Sequence, residues 1–224
     1  FMVLGRKFFL CHAEDGIRDV EKSRGLGDVY QRQLLSGPVV LEEKLDGANL
    51  GFSVSPDGVL RAQNRGQYLP QPFHGQFARL GPWLAAHEDK LFDALGTHLV
   101  AFGEWCAARH SLDYATLPDW WMLFDVYDRQ EQRFWSTTRR NAWAAEMGFK
   151  TVPRLYAGEV TLDQLRDWVH AHDSQFRQGH LEGIVVRREN ADWLENRAKL
   201  VRADFTQTIE AHWKSRALEW NRVV

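Results

Sequence analysis

Short β-like runs, broken at irregular intervals by helical stretches, limit the architecture of this chain more than any other feature of its sequence. Val39–Glu43, Leu50–Ser53 and Val59–Gln63 read as strands, and the last two flank Ser55-Pro56-Asp57-Gly58, a turn sequence. A helix is expected over about Pro82–Leu95, with Trp83, Leu84, His87, Leu91 and Leu95 on one face and Pro82 in its first turn. Strands follow at His98–Trp105, Trp121–Tyr127 and Arg133–Trp135. Ser136 is placed to cap a helix running to Met147 and ended by Gly148, and Thr161 to cap another through about His170. Gly183–Arg188 and Arg197–Val201 read as strands, and an amphipathic helix is expected over Phe205–Leu218. Such irregular order is not the regular alternation of a parallel sheet. It predicts an α+β fold with largely antiparallel sheets.

Composition excludes several classes. The two cysteines, Cys11 and Cys106, cannot make a disulfide framework or a four-thiolate zinc site. No apolar run reaches the roughly 18–20 residues of a membrane span, and the chain carries no signal-peptide pattern, so a reducing cytoplasm is the expected setting. A net charge of -2 speaks against indiscriminate coating of nucleic acid but leaves room for a local basic groove. Most of the ten Trp and thirteen Phe are expected in the core.

Residues 8–33 carry charge and glycine every few positions with no hydrophobic period. The run resembles the translation of a sequencing-adapter read-through. The expected organisation is therefore a non-native leader over residues 1–34 and one domain over 35–224.

Chemistry concentrates at strand ends. Glu43-Lys44-Leu45-Asp46-Gly47-Ala48-Asn49 leaves a strand through a glycine turn. A lysine there is expected to be partly desolvated, which lowers its pKa and frees an amine nucleophile, while Gly47 lets backbone approach a ligand. Arg65 ends the next hairpin, where its guanidinium can fork onto phosphate or ribose. Glu104 lies in Phe102-Gly103-Glu104-Trp105, and Phe124 with Asp125 in Leu123-Phe124-Asp125-Val126-Tyr127. Glu182 precedes a buried strand, and Arg197, Lys199 and Arg202 bring three cations into six residues. Asp119 and Asp125 can serve a metal or a strand equally, and Cys106 is expected to be a buried, inert thiol.

In this order the motifs resemble those of the covalent nucleotidyltransferases: RNA ligases, DNA ligases and mRNA capping enzymes. Glu43 to Leu50 is most similar to the RNA ligase 2 type, in which Ala-Asn follows the glycine. The resemblance implies a nucleotidyltransferase (adenylation) domain of twisted, mostly antiparallel sheets flanked by helices, with the nucleotide pocket between them. It implies an ATP-dependent RNA ligase that forms lysyl-AMP, transfers AMP to a 5′-phosphate RNA end and seals it to a 3′-hydroxyl.

By that similarity Lys44 is the nucleophile and Lys199 contacts the α-phosphate with help from Arg197; an alternative alignment uses Arg202. Glu182 belongs to a metal shell, Glu104 to a metal or the ribose, and Arg65 to the ribose or the 3′ end. Asp46 sits by the sugar, Phe124 stacks on adenine, and Glu43 lies near the base edge. Gly47 and Asn49 complete the ATP-binding motif. ATP and Mg²⁺ (or Mn²⁺) are the implied cofactors, RNA ends the implied partners, with a possible end-healing partner enzyme. Two other readings remain: a minimal DNA ligase or guanylyltransferase, and a catalytically dead nucleic-acid-binding module of the same fold.

Overall fold

The computed structural model describes residues 8–10, 33–202 and 218–224. Two antiparallel sheets form the frame. The first runs β1-β11-β10-β2-β9, with β1 at Phe8–Leu10, β2 at Val39–Lys44, β9 at Arg154–Gly158, β10 at Gly183–Glu189 and β11 at Leu194–Val201. The second runs β4-β3-β5-β6-β7, with β3 at Ala48–Val54, β4 at Leu60–Gln63, β5 at Leu99–Trp105, β6 at Trp121–Asp128 and β7 at Arg133–Phe134. The short β8, Lys150–Thr151, pairs with β6 in parallel. The α+β architecture with antiparallel sheets follows the sequence expectation.

Helix positions track their caps. In α3, Thr137–Met147, Ser136 Oγ accepts from the Arg139 N–H, and Gly148 closes the last turn in the left-handed region at φ 71°. Thr161 and Gln164 form a capping box on α4, Leu162–Ala171. The single helix expected over Pro82–Leu95 is instead two, α1 at Leu80–Ala85 and α2 at Glu88–Leu95. The break has a local cause. His87 stacks on Trp83 and its Nδ1 donates to the Trp83 carbonyl at 2.7 Å. That carbonyl also takes the Ala86 N–H, so the ladder tightens and stops. The two-residue β8 and the edge strand β9 were not expected; around Pro153 their residues are mostly polar or exposed, which hides any period of two.

The leader expected over 1–34 lies outside the described residues except for Phe8–Leu10, which pair with β11, and Gln33 with the buried Leu34. The helix expected over Phe205–Leu218 lies outside them apart from Leu218.

Strand alternation sets the two faces of the first sheet. Val39, Leu41, Ile184, Val186, Ala198 and Leu200 pack with Leu165 and Val169 of α4. Glu42, Lys44, Val185, Arg187, Arg197 and Lys199 occupy the other face. There the first sheet meets β6 and α3 through buried charges. Arg187 is paired to Asp125 at 2.8 Å and to Glu189 at 2.7 Å, and Arg140 of α3 forks onto Glu42. The second sheet closes over α1 and α2 around Phe52, Trp83, Trp105 and Trp121. Leu45, Asp46 and Gly47 are the whole connection from the first sheet to the second, so the lysine motif is the crossing itself.

Candidate active site

Lys44 is the last residue of β2 and lies opposite Gly183 of β10. The residue before that glycine, Glu182, reaches Lys44 Nζ with Oε1 at 2.5 Å. Gly183 can be nothing larger, because a Cβ there would sit 2.3 Å from the Leu200 carbonyl oxygen. Three residues past Lys44, Gly47 presses against the end of β5. Its N–H donates to Glu104 Oε1 at 2.9 Å, and a Cβ would lie 2.6 Å from Trp105 O. Backbone cannot step aside as a side-chain tip can. Gly47→Ala is therefore expected to cost about 1–3 kcal/mol in urea denaturation, and to loosen the hydrogen bond that holds Glu104 Oε1.

Asp46 faces the loop after β5. Its Oδ2 accepts from the N–H groups of Ser111 (2.7 Å) and Leu112 (2.8 Å), and its own N–H donates to the Tyr114 hydroxyl at 2.8 Å. Asn49, next along β3, lies opposite Glu104, and its Oδ1 is buried without a hydrogen-bond partner.

Three carboxylates thus surround one ammonium. Burial pulls the Lys44 pKa down, but Glu182, Glu104 and Asp46 outweigh it and the net shift is upward. The depressed lysine expected from the sequence is corrected here: without a further cation, the group rests charged. Desolvation pushes Glu104 and Glu182 each up to about 7, against the pull of Lys44, because one ammonium cannot neutralise all the acids it faces. Both carboxyls have folded pKa values above the unfolded value of 4.5, so the folded chain binds more protons than the unfolded chain between the two values. The stability they contribute is fully present below about pH 4.5 and is lost as pH rises through about 7. Melting temperature should accordingly decline across that window, and Glu104→Gln or Glu182→Gln should flatten the decline.

The remaining expected residues separate into groups. Lys199 lies opposite Val185, which lies opposite Glu42, so Lys199 shares the Lys44 face two strands away. Arg197 is on that face too, but its guanidinium is paired with Asp125 and lies 4.8 Å over the Phe134 ring. The Arg202 backbone donates to Glu182 O at 3.0 Å, just past the strand. Arg65 is exposed in the Asn64–Gln67 turn, and its charge lowers the Glu104 pKa. Phe124 falls at a register shift between β5 and β6, where Phe102 faces Asp125 and Gly103 faces Leu123. Such a bulge re-aims a side chain, and Phe124 packs half-buried beside Leu45 and Met122. Glu43 alternates to the opposite side of β2 from Lys44. Its Oε2 accepts from Gln175 N at 3.1 Å, Oε1 is buried without a partner, and burial raises its pKa.

Asp119 and Asp125 serve structure. Asp119 accepts from Trp83 Nε1 at 2.6 Å, and Asp125 joins the charges between the sheets. Cys106 is buried and reduced, and its pKa is pushed well up by burial. Sequence reasoning missed Tyr114 and the Glu42–Arg140–Arg187 cluster. A charge inside an apolar strand, as in Val185-Val186-Arg187, was the available signal for the second.

Among the described residues no group of three or more His, Cys, Asp or Glu side chains is arranged to hold a metal. Glu182 Oε2 is nevertheless buried with no partner, beside a second desolvated carboxylate. That donor set suits a hard divalent ion that keeps water and substrate oxygens as its other ligands. No helix among the described residues is long and apolar enough to cross a membrane.

A family model described as RNA ligase matches residues 37–201. Solved structures of the Naegleria gruberi RNA ligase share the fold. The one with PPi is 18% identical with a TM-score of 0.61, covering 88% of this chain and 59% of that chain. Two mutants with ATP and Mn are 16% and 17% identical with TM-scores of 0.62 and 0.63, each match covering 89% of this chain and 60% of the other. The chain thus spans about three fifths of those solved chains. No curated protein matches it at a significant level.

Proposed function

The chain belongs to the RNA ligase family, and from that premise we propose that it is an ATP-dependent RNA ligase working through a lysyl-AMP intermediate. The observation that carries the reading is Lys44 held at 2.5 Å by Glu182, with Glu104 fixed by the Gly47 N–H beside it and Lys199 on the same sheet face. In the first step Lys44 Nζ attacks the α-phosphorus of ATP. A P–N bond forms, the bond to the bridging oxygen breaks, and pyrophosphate leaves. AMP then passes to a 5′-phosphate RNA end, and a 3′-hydroxyl displaces it.

The chain's own residues supply positioning and charge. Lys44 must shed a proton before it can attack, and Glu182 Oε1 is the hydrogen-bond partner in place to receive it. Lys199 offers positive charge to the α-phosphate, and Phe124 an apolar face for the base. Asn49, Arg65 and Asp46 line the ribose side, the Glu43 backbone the base edge, and Arg197 or Arg202 supports Lys199. Glu104 and the unpartnered Oε2 of Glu182 would hold Mg²⁺ or Mn²⁺. When bound, that ion supplies positive charge to the phosphates and offsets the carboxylates that keep Lys44 protonated. RNA ends bearing 5′-phosphate and 3′-hydroxyl are the substrate class, so breaks with other termini would need an end-healing enzyme first.

The test is direct. Protein incubated with α-labelled ATP and Mg²⁺ should take up covalent, acid-labile label, and label from GTP should not replace it. Labelling by GTP alone would favour a guanylyltransferase, and no labelling by either would end the enzymatic reading.

A further inference from the structure

Residues 218–224 lie as a strap along the loop that follows β5. Asn221, buried at its middle, donates from Nδ2 to Cys106 O at 2.8 Å and accepts at Oδ1 from Tyr114 N at 2.9 Å. Its own N–H donates to Ala107 O at 2.9 Å. Around it Arg109 N–H donates to Glu219 O (2.8 Å), Arg222 N–H to Tyr114 O (3.0 Å) and Leu117 N–H to Arg222 O (3.1 Å).

The strapped loop is the one that grips the lysine motif. Tyr114 reaches from it with a hydroxyl that accepts the Asp46 N–H, while Ser111 and Leu112 donate to the Asp46 carboxylate. Leu45, Asp46 and Gly47 lie between strands, so no ladder of sheet hydrogen bonds orients them. The attitude of the turn, and with it the exit angle of Lys44, is set by these contacts to the loop and by the Gly47 N–H on Glu104.

We infer that Tyr114 and Asn221 are positioning residues for the Lys44 nucleophile, acting through Asp46 without touching nucleotide. The inference rests on the lysyl-AMP reading and extends it to a segment outside the matched residues 37–201. A nucleophile displaced by about 1 Å loses roughly a hundredfold in rate, while contacts to ATP made elsewhere in the pocket are untouched. The expected signature is a slower step at saturating ATP with an unchanged half-saturating concentration.

The experiment measures the rate of covalent labelling against ATP concentration at 20 °C for the full chain, Tyr114→Phe and Asn221→Ala. Tyr114→Phe keeps the ring that packs with Leu45, Cys106, Leu117 and Met122 and removes only the hydroxyl, so it is the variant expected to fold normally. Ser136→Ala, which removes the α3 cap, controls for lost stability alone. The inference expects both site variants to label about tenfold to a hundredfold more slowly at saturation, with half-saturation as in the parent and Ser136→Ala at the parental rate. Parental rates in Tyr114→Phe overturn it. So does a raised half-saturating ATP concentration, or a slowing in Ser136→Ala that matches the others. A parent chain that takes no label removes the ligase reading, and the inference with it.

Discussion

Lys44→Ala protein incubated with α-labelled ATP and Mg²⁺ is expected to acquire no acid-labile label, at any nucleotide concentration or time. Lys44→Arg should give the same blank result, because a guanidinium stays protonated at neutral pH and has no free lone pair to offer phosphorus. The effect is total because the bond lost is covalent, and no neighbour can substitute. Lys199 shares the sheet face but lies two strands away, Glu182, Glu104 and Asp46 are acids, and the nearby His110 imidazole is hydrogen-bonded through Nε2 to Gln76. Loss of label must not be loss of fold. Lys44→Arg keeps a cation near Glu182, so its melting temperature should stay close to the parent's. Label that persists in either variant moves the nucleophile elsewhere and removes the central role assigned to Lys44.

Arg187→Met is expected to unfold at a much lower urea concentration than the parent, with an unchanged slope and a loss of about 3–5 kcal/mol. Arg187 is 1% exposed and faces three carboxylates: Asp125 at 2.8 Å, Glu189 at 2.7 Å and Glu42 at 3.7 Å. Methionine fills a similar volume but leaves acids in the interior with less positive charge to answer them. Breaking one member of such a cluster costs far more than never having built it. Burial alone would raise the Asp125 carboxyl, yet Arg197 and Arg187 hold it below its ordinary value of 3.8. Its contribution to stability is therefore present above pH 3.8 and lost as pH falls through the depressed value. In Arg187→Met this acid-side loss should begin at a higher pH. A loss under about 1 kcal/mol would mean that the cluster does not hold the two sheets together.

Much of the fold and of the site is legible in the sequence alone. Ser136 and Gly148 announce both ends of α3, and Thr161 the start of α4, because caps are local and their residues few. The order of the charged strand ends pointed to one pocket, and Lys44, Glu104 and Glu182 do meet there. What could not be read depends on distant partners. Asp46 is expected beside a sugar, and the structure adds what the sequence does not show, backbone partners for its Oδ2 more than sixty residues away. The state of Lys44 was misjudged because burial could be guessed from a strand while the number of acids around it could not. Arg197 is expected to help a phosphate, and the partner the structure adds to it, Asp125, is seventy-two positions distant. The split of α1 from α2 turned on one imidazole competing for a carbonyl, below the reach of any periodic pattern.

The three-residue crossing from Lys44 to Ala48 has a mechanical consequence. At about 3.3–3.6 Å per residue, so short a tether forbids the two sheets from parting at the pocket floor. The cluster of Arg187, Asp125, Arg140 and Glu42 rivets them together again further out. Any opening of the site therefore falls to the loops and side chains at its rim, with the sheets themselves behaving as one anvil.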